Sequence, residues 1–253
     1  GVEVEVPPDM VDVDGDAGRS EPVTLSHDGG PPLALTQGDP AGIGLELTVR
    51  AWLDRDARQV PPFLVIADPS AVRRAAAIFG AADVVVECEP DDAAARFADR
   101  LPVMPTGHAA TVAFGVPDPA TAAGTIGSID LAVRLVKAGR SAAVVTNPIA
   151  KSVLYEAGFS HPGHTEYLAA LAARVWGIPE PLPAMLLWSE DLAVVPVTIH
   201  VPLRQVPGLL TADLIVETGR IVAADYAGRF GLRAARIAVA GLNPHAGEGG
   251  ALG

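Results

Sequence analysis

Neutral imidazole is a good ligand for zinc and other transition metals, and two histidines stand where such a ligand would be useful. His200 follows the apolar run 194–199 and His245 follows the apolar run 237–240, both of which read as strands. If these strands belong to a parallel sheet, both rings leave carboxyl ends, where ligand sites gather in open α/β folds. One or two further donors would complete a metal site. Either histidine alone is better explained by an ordinary hydrogen bond at a strand end, so it is the pair that points to a site.

Three other segments have residue types that suit an anion. Gly163-His164-Thr165 reads as the opening of a helix, where an imidazole, a hydroxyl and free backbone amides can converge on one oxyanion. The plainer alternative is that Thr165 caps the helix. In Thr146-Asn147-Pro148-Ile149-Ala150-Lys151 the proline suits a first helical turn, and it puts Lys151 near a helix start, where a cation is unfavourable without an accompanying anion. A solvated lysine lying over its own stem is the competing explanation. The third segment, Gly38-Asp39-Pro40-Ala41-Gly42-Ile43-Gly44, permits positive φ and close backbone approach before a helix, but its spacing is not the dinucleotide fingerprint. His27, His108 and His161 have no such context and are expected to be solvated.

The elements that must position these residues alternate. Short apolar runs at 33–36, 63–67, 84–86, 142–145, 185–188, 194–199 and 237–240 read as strands. Helical spacing covers 45–53, 70–79, 126–136, 165–175 and 212–227. Such alternation implies an α/β fold with a mostly parallel sheet and helices on both faces. The proline-broken stretch 88–123 is expected to be irregular.

Composition limits the function classes. A chain of 253 residues with 49% apolar and 5% aromatic content builds its core from Ala, Val and Leu. The net charge of −12 would repel a phosphate backbone, so nucleic acid is excluded and any bound phosphate must be held locally. Eight acids against Arg19 fall within the first thirty residues, and 1–31 is expected to be a disordered acidic tail ahead of a folded domain over 32–253. One cysteine, Cys88, rules out an intrachain disulfide and fits a reducing compartment, taken as the cytoplasm. No run is long enough to span a membrane.

In this order and at these separations, the segments resemble the 4-hydroxythreonine-4-phosphate dehydrogenase family of pyridoxal phosphate biosynthesis. The resemblance runs from about Leu33 to Gly250 and is carried by the 38–44 turn, the 146–151 run, Gly163-His164-Thr165-Glu166, Thr198-Ile199-His200-Val201-Pro202-Leu203-Arg204 and the 241–250 segment with its Asn243-Pro244-His245. It implies an isocitrate/isopropylmalate dehydrogenase-like fold, with two α/β subdomains around a cleft, and a homodimer with active sites at the interface. It also implies that His164 and Thr165 bind substrate and that His200 and His245 are two of three ligands to a divalent metal (Zn, Mg, Mn or Co).

The implied reaction is oxidation of the C3 hydroxyl of 4-phosphooxy-threonine by NAD (or NADP), followed by loss of carbon dioxide to give 3-amino-2-oxopropyl phosphate. Leu45 stands where the family usually has proline. The chain stops at Gly253 where the family continues, so the third histidine and further substrate residues would lie beyond it; poor solubility of this chain alone is the expectation. Competing readings are a dehydrogenase of erythronate or threonate 4-phosphate, one acting on a dihydrodiol dicarboxylate, and a catalytically dead relative that binds metal or a phosphorylated ligand.

Overall fold

The computed structural model describes residues 2–3, 30–189, 191–232, 234–243, 245 and 248–250. His27 and most of the expected acidic tail lie outside the described residues. Two compact units divide at Pro181 and Leu182. The first described element, β1 (Val2–Glu3), belongs to the later unit.

From Gly30 to Pro181 the chain forms a doubly wound layer. β2 (Leu33–Thr36) leads through a turn to α1 (Gly44–Leu53) and the single turn α2 (Arg55–Arg58), then β3 (Phe63–Ala67) to α3 (Pro69–Ile78), and β4 (Val85–Glu87) to α4 (Pro90–Phe97). β5 (Leu101–Pro105), α5 (Ala122–Lys137), β6 (Val144–Val145), α6 (Lys151–Glu156) and α7 (His164–Trp176) complete it. The sheet order is β4-β5-β3-β2-β6 and every pairing is parallel, as the alternation predicts. β3, in the centre, is buried at every position, which is why its sequence is an unbroken apolar run rather than an alternating one. Phe63, Val65 and Ala67 face one core with Val49 and Trp52 of α1 and Val72 of α3. Leu64 and Ile66 face the other with Ala93 of α4 and Ala132 of α5.

The stretch expected to be irregular instead supplies α4 and β5. Pro90 occupies the first turn of α4, where the missing N–H costs nothing, and Asp91 and Asp92 complement the helix dipole. The prolines of β5 fit an interior strand because its two ladders overlap only at Val103: Pro102 is matched to β4 and Pro105 to β3. Each proline is thus in register with one neighbour only.

The second unit holds β7 (Leu187–Trp188), β8 (Ala193–Val194), the single turn α8 (Val206–Leu209), α9 (Ala212–Arg229) and β9 (Ala238–Val239). Its strands are not the parallel ones expected. β7 pairs antiparallel with β8, and β9 antiparallel with β1. The link from Trp188 to Ala193 is too short for a parallel crossover, and Ser189 closes it by donating its N–H to the Leu192 carbonyl at 2.9 Å. Thr211 caps α9, accepting from the Leu214 amide at 3.2 Å. Trp188 and Leu192 remain 67% and 64% exposed, an unusual surface for large apolar side chains.

Candidate functional site

The glycine-rich turn after β2 and the segment after β6 are built into one another. Asn147 donates its backbone N–H to Thr36 Oγ1 at 3.1 Å, and its Nδ2 to the Thr36 carbonyl at 2.9 Å and to Thr48 Oγ1 at 2.8 Å. Asp39 donates its amide to the Pro148 carbonyl at 2.8 Å. A Cβ on Gly38 would stand 2.6 Å from the Pro148 oxygen, at a backbone φ of +69° that favours glycine, and one on Gly44 would stand 2.9 Å from Asn147 Cβ. The close approach these glycines permit is therefore to the protein's own chain. Pro148 does not enter a helix as expected; residues 146–150 are in neither helix nor strand, and α6 begins at Lys151 after Ala150.

The second anchor is Asp68, which caps α3. Its carboxylate accepts from the Ser70 amide at 3.0 Å, the Ser70 hydroxyl at 2.7 Å and the Ala110 amide at 2.8 Å. Burial pushes the carboxyl upward, but the Ala110 and Ser70 donors, with Arg74 nearby, outweigh it and hold Asp68 below the ordinary range. The Asp68 amide in turn donates to buried Gln37 Oε1 at 2.8 Å.

α7 opens at His164, and Gly163 is its N-cap with no side-chain cap hydrogen bond. Thr165 therefore sits in the first turn and is not the cap, contrary to the plainer alternative. The first intrahelical bond is Tyr167 N–H to the Gly163 carbonyl, so the amides before it have no partner within the helix. His164 Nε2 is buried without a hydrogen-bond partner among the described residues. Burial, and then the charge of Lys151, lower the His164 pKa and keep the ring neutral. Lys151 Nζ and Glu166 Oε2 each lie 3.5 Å from where a Cβ on Gly163 would stand.

This helix start is fixed from several sides. The His161 ring packs at 5.3 Å from Phe159 and 5.1 Å from Tyr167, so it is part of an aromatic cluster and not the solvated side chain expected. Tyr155 donates its hydroxyl to the Pro162 carbonyl at 3.3 Å. Tyr167, 7% exposed, donates its hydroxyl to Asp130 Oδ1 on α5 at 2.5 Å, and Asp130 also pairs with Arg174 at 3.0 Å. Burial and that hydrogen bond push the Tyr167 phenol above its ordinary range. The Asp130 contacts are not signalled by local sequence, since they join α5 to α7 across 37 and 44 positions of chain. His108 is exposed, with its side chain beside Gly124 and Gly127 of α5.

The two candidate metal ligands lie in the second unit, in loops after antiparallel strands and not at the carboxyl ends of parallel ones. His200 is exposed with φ +56°, a left-handed backbone that histidine enters more readily than branched residues. The His245 amide donates to Asn243 Oδ1 at 2.9 Å, a local turn typical of asparagine. Its Nδ1 meets Glu248 Oε1 at 2.6 Å. A proton on Nδ1 shared with that carboxylate leaves the Nε2 lone pair available, the orientation that ligating histidines adopt. Among the described residues no three His, Cys, Asp or Glu side chains converge on one point.

Comparison with known proteins gives consistent matches. A family model described as pyridoxal phosphate biosynthetic protein PdxA matches residues 59–253. The 4-hydroxythreonine-4-phosphate dehydrogenases of Methylorubrum populi and Xanthobacter autotrophicus are 57% and 55% identical over 88% of this chain. The chain spans 64% and 63% of their lengths, less than two thirds. Crystal structures of 4-hydroxythreonine-4-phosphate dehydrogenases from Burkholderia phymatum and Klebsiella pneumoniae superpose with TM-scores of 0.72 and 0.71 at 29% and 30% identity. The match covers 88% of this chain and 66% and 67% of theirs. The fold is accordingly of the isocitrate/isopropylmalate dehydrogenase-like class, α/β with a mostly parallel central sheet.

Proposed function

The chain belongs to the pyridoxal phosphate biosynthetic protein PdxA family, and from that premise we propose that it serves the NAD-dependent, divalent-metal-dependent oxidation of 4-phosphooxy-threonine at its C3 hydroxyl. Loss of carbon dioxide from the resulting β-keto acid then gives 3-amino-2-oxopropyl phosphate. The observation that carries this reading is the start of α7: a half-buried, neutral His164 whose Nε2 is buried and unpartnered, the Thr165 side chain and unshared backbone amides, all held by packed neighbours.

His164 and Thr165 are the substrate-binding pair in this account. Thr165 and the first amides of α7 donate to the phosphate oxygens, and His164 joins them through an Nε2 proton. Holding the phosphate away from the reacting carbon turns its binding energy into orientation of C3. His200 and His245 fit a divalent metal by donor chemistry, and a proton on His245 Nδ1 directed at Glu248 Oε1 would leave Nε2 free to ligate. A divalent ion held by His200 and His245 would supply Lewis acidity toward a substrate hydroxyl, and NAD would accept the hydride.

A homodimer is part of the proposal, supported by the exposed Trp188 and Leu192, which need a covering surface. No helix among the described residues is long and apolar enough to cross a membrane. NADH formation with manganese or zinc tests the substrate assignment. 4-Phosphooxy-threonine is expected to be turned over with release of one carbon dioxide per NADH. Faster turnover of erythronate or threonate 4-phosphate would transfer the assignment to sugar-acid oxidation.

A further inference from the structure

We propose that Lys151 is a further substrate-binding residue, its ammonium meeting the phosphate dianion that the start of α7 receives at His164. This rests on the reading of α7 as the phosphate site. Lys151 Nζ and Cε lie 3.5 and 3.7 Å from where a Cβ on Gly163 would stand, so the side chain reaches the cap residue of α7. Glu166 Oε2 is as close to that point, yet Lys151 makes no ion pair with it or with any other carboxylate among the described residues. A lysine directed at a helix N-terminus opposes the helix dipole, and a second cost falls on the neighbouring imidazole. An arriving dianion reverses both, because it neutralises the ammonium and stabilises a donating imidazole.

The surrounding structure holds this arrangement in place. The chain leading into Lys151 is fixed by the three Asn147 hydrogen bonds to Thr36 and Thr48, and the loop leading into His164 by Tyr155 and the His161 ring. Lys151 is exposed and takes part in no core cluster, so its replacement leaves the fold untouched. A phosphate dianion is favoured over a carboxylate because one ammonium, an imidazole N–H and a set of amides supply more donors than one monoanion satisfies.

The test follows the His164 ring by NMR with labelled histidine while inorganic phosphate is titrated into wild type, Lys151→Met and Lys151→Arg. In the absence of phosphate, Lys151→Met is expected to raise the His164 pKa. Phosphate is expected to move the His164 signals in wild type, with affinity falling at least about tenfold in Lys151→Met and largely restored in Lys151→Arg. Equal phosphate affinity in wild type and Lys151→Met would overturn the proposal, as would a His164 ring that phosphate does not move in any of the three. Lysine-dependent phosphate binding in a protein that makes no NADH from 4-phosphooxy-threonine would retain this site and refute the proposed reaction.

Discussion

Asn147 Nδ2 donates to the Thr36 carbonyl at 2.9 Å, joining residues 111 positions apart in the chain. Through this contact the end of β2 fixes the segment that delivers Lys151, and the glycines at 38 and 44 are what let it pass. Gly38→Ala is expected to cost at least about 3 kcal/mol, because the new Cβ meets a carbonyl oxygen and φ must leave the left-handed region. Urea unfolding measures it. A loss under about 1 kcal/mol would show that the 147–148 segment yields easily.

Asp68 joins the cap of α3 to the Ala110 loop. Asp68→Ala is expected to destabilise by about 2 kcal/mol, a lost cap plus a lost buried acceptor. Its native carboxyl lies below the ordinary range, so the stabilisation is complete above the unfolded carboxylate's pKa and disappears as pH falls through the lowered native value. Acid unfolding of wild type and the variant should converge at low pH. Parallel curves would contradict the linkage.

His164 has the opposite charge logic. Its pKa is lowered by burial and by Lys151, with Glu166 the nearby carboxylate, so the unfolded chain binds this proton first as pH falls. The ring's contribution to stability is full above its ordinary pKa of about 6.5 and declines as pH drops from there toward the native value. His164→Asn should show a shallower decline than wild type between about pH 7 and 5. Identical slopes would place the ring in a more solvated setting.

For the metal, His200→Ala and His245→Ala should each abolish metal-dependent turnover while leaving the far-ultraviolet circular dichroism unchanged. Glu248→Gln removes no ligand in this account, yet it should weaken metal affinity about tenfold by loosening the His245 ring. Unaltered affinity in Glu248→Gln would reduce the 2.6 Å contact to a surface hydrogen bond.

Much of the first unit is legible in its sequence. The ranges of β2 and β3 coincide with the apolar runs because both strands are buried on two faces and bounded by turn residues. β5 is hidden because its prolines are permitted only by the offset of its two neighbours, a tertiary fact. The β7–β8 pairing is missed for a different reason: an apolar run does not state its direction, and only the short link excludes a crossover. At the site, Gly163 before a helical pattern announces the start of α7. The approach of Lys151 to that start, and the Tyr167–Asp130 contact behind it, depend on packing between elements that no local pattern encodes.

The most direct test of the central claim is calorimetric binding of 4-phosphooxy-threonine and of unphosphorylated 4-hydroxythreonine to wild type and His164→Ala. Wild type should prefer the phosphorylated compound by about a hundredfold or more, and His164→Ala should lose most of that preference. Equal affinity of wild type for the two compounds would contradict the assignment of α7 as the phosphate site.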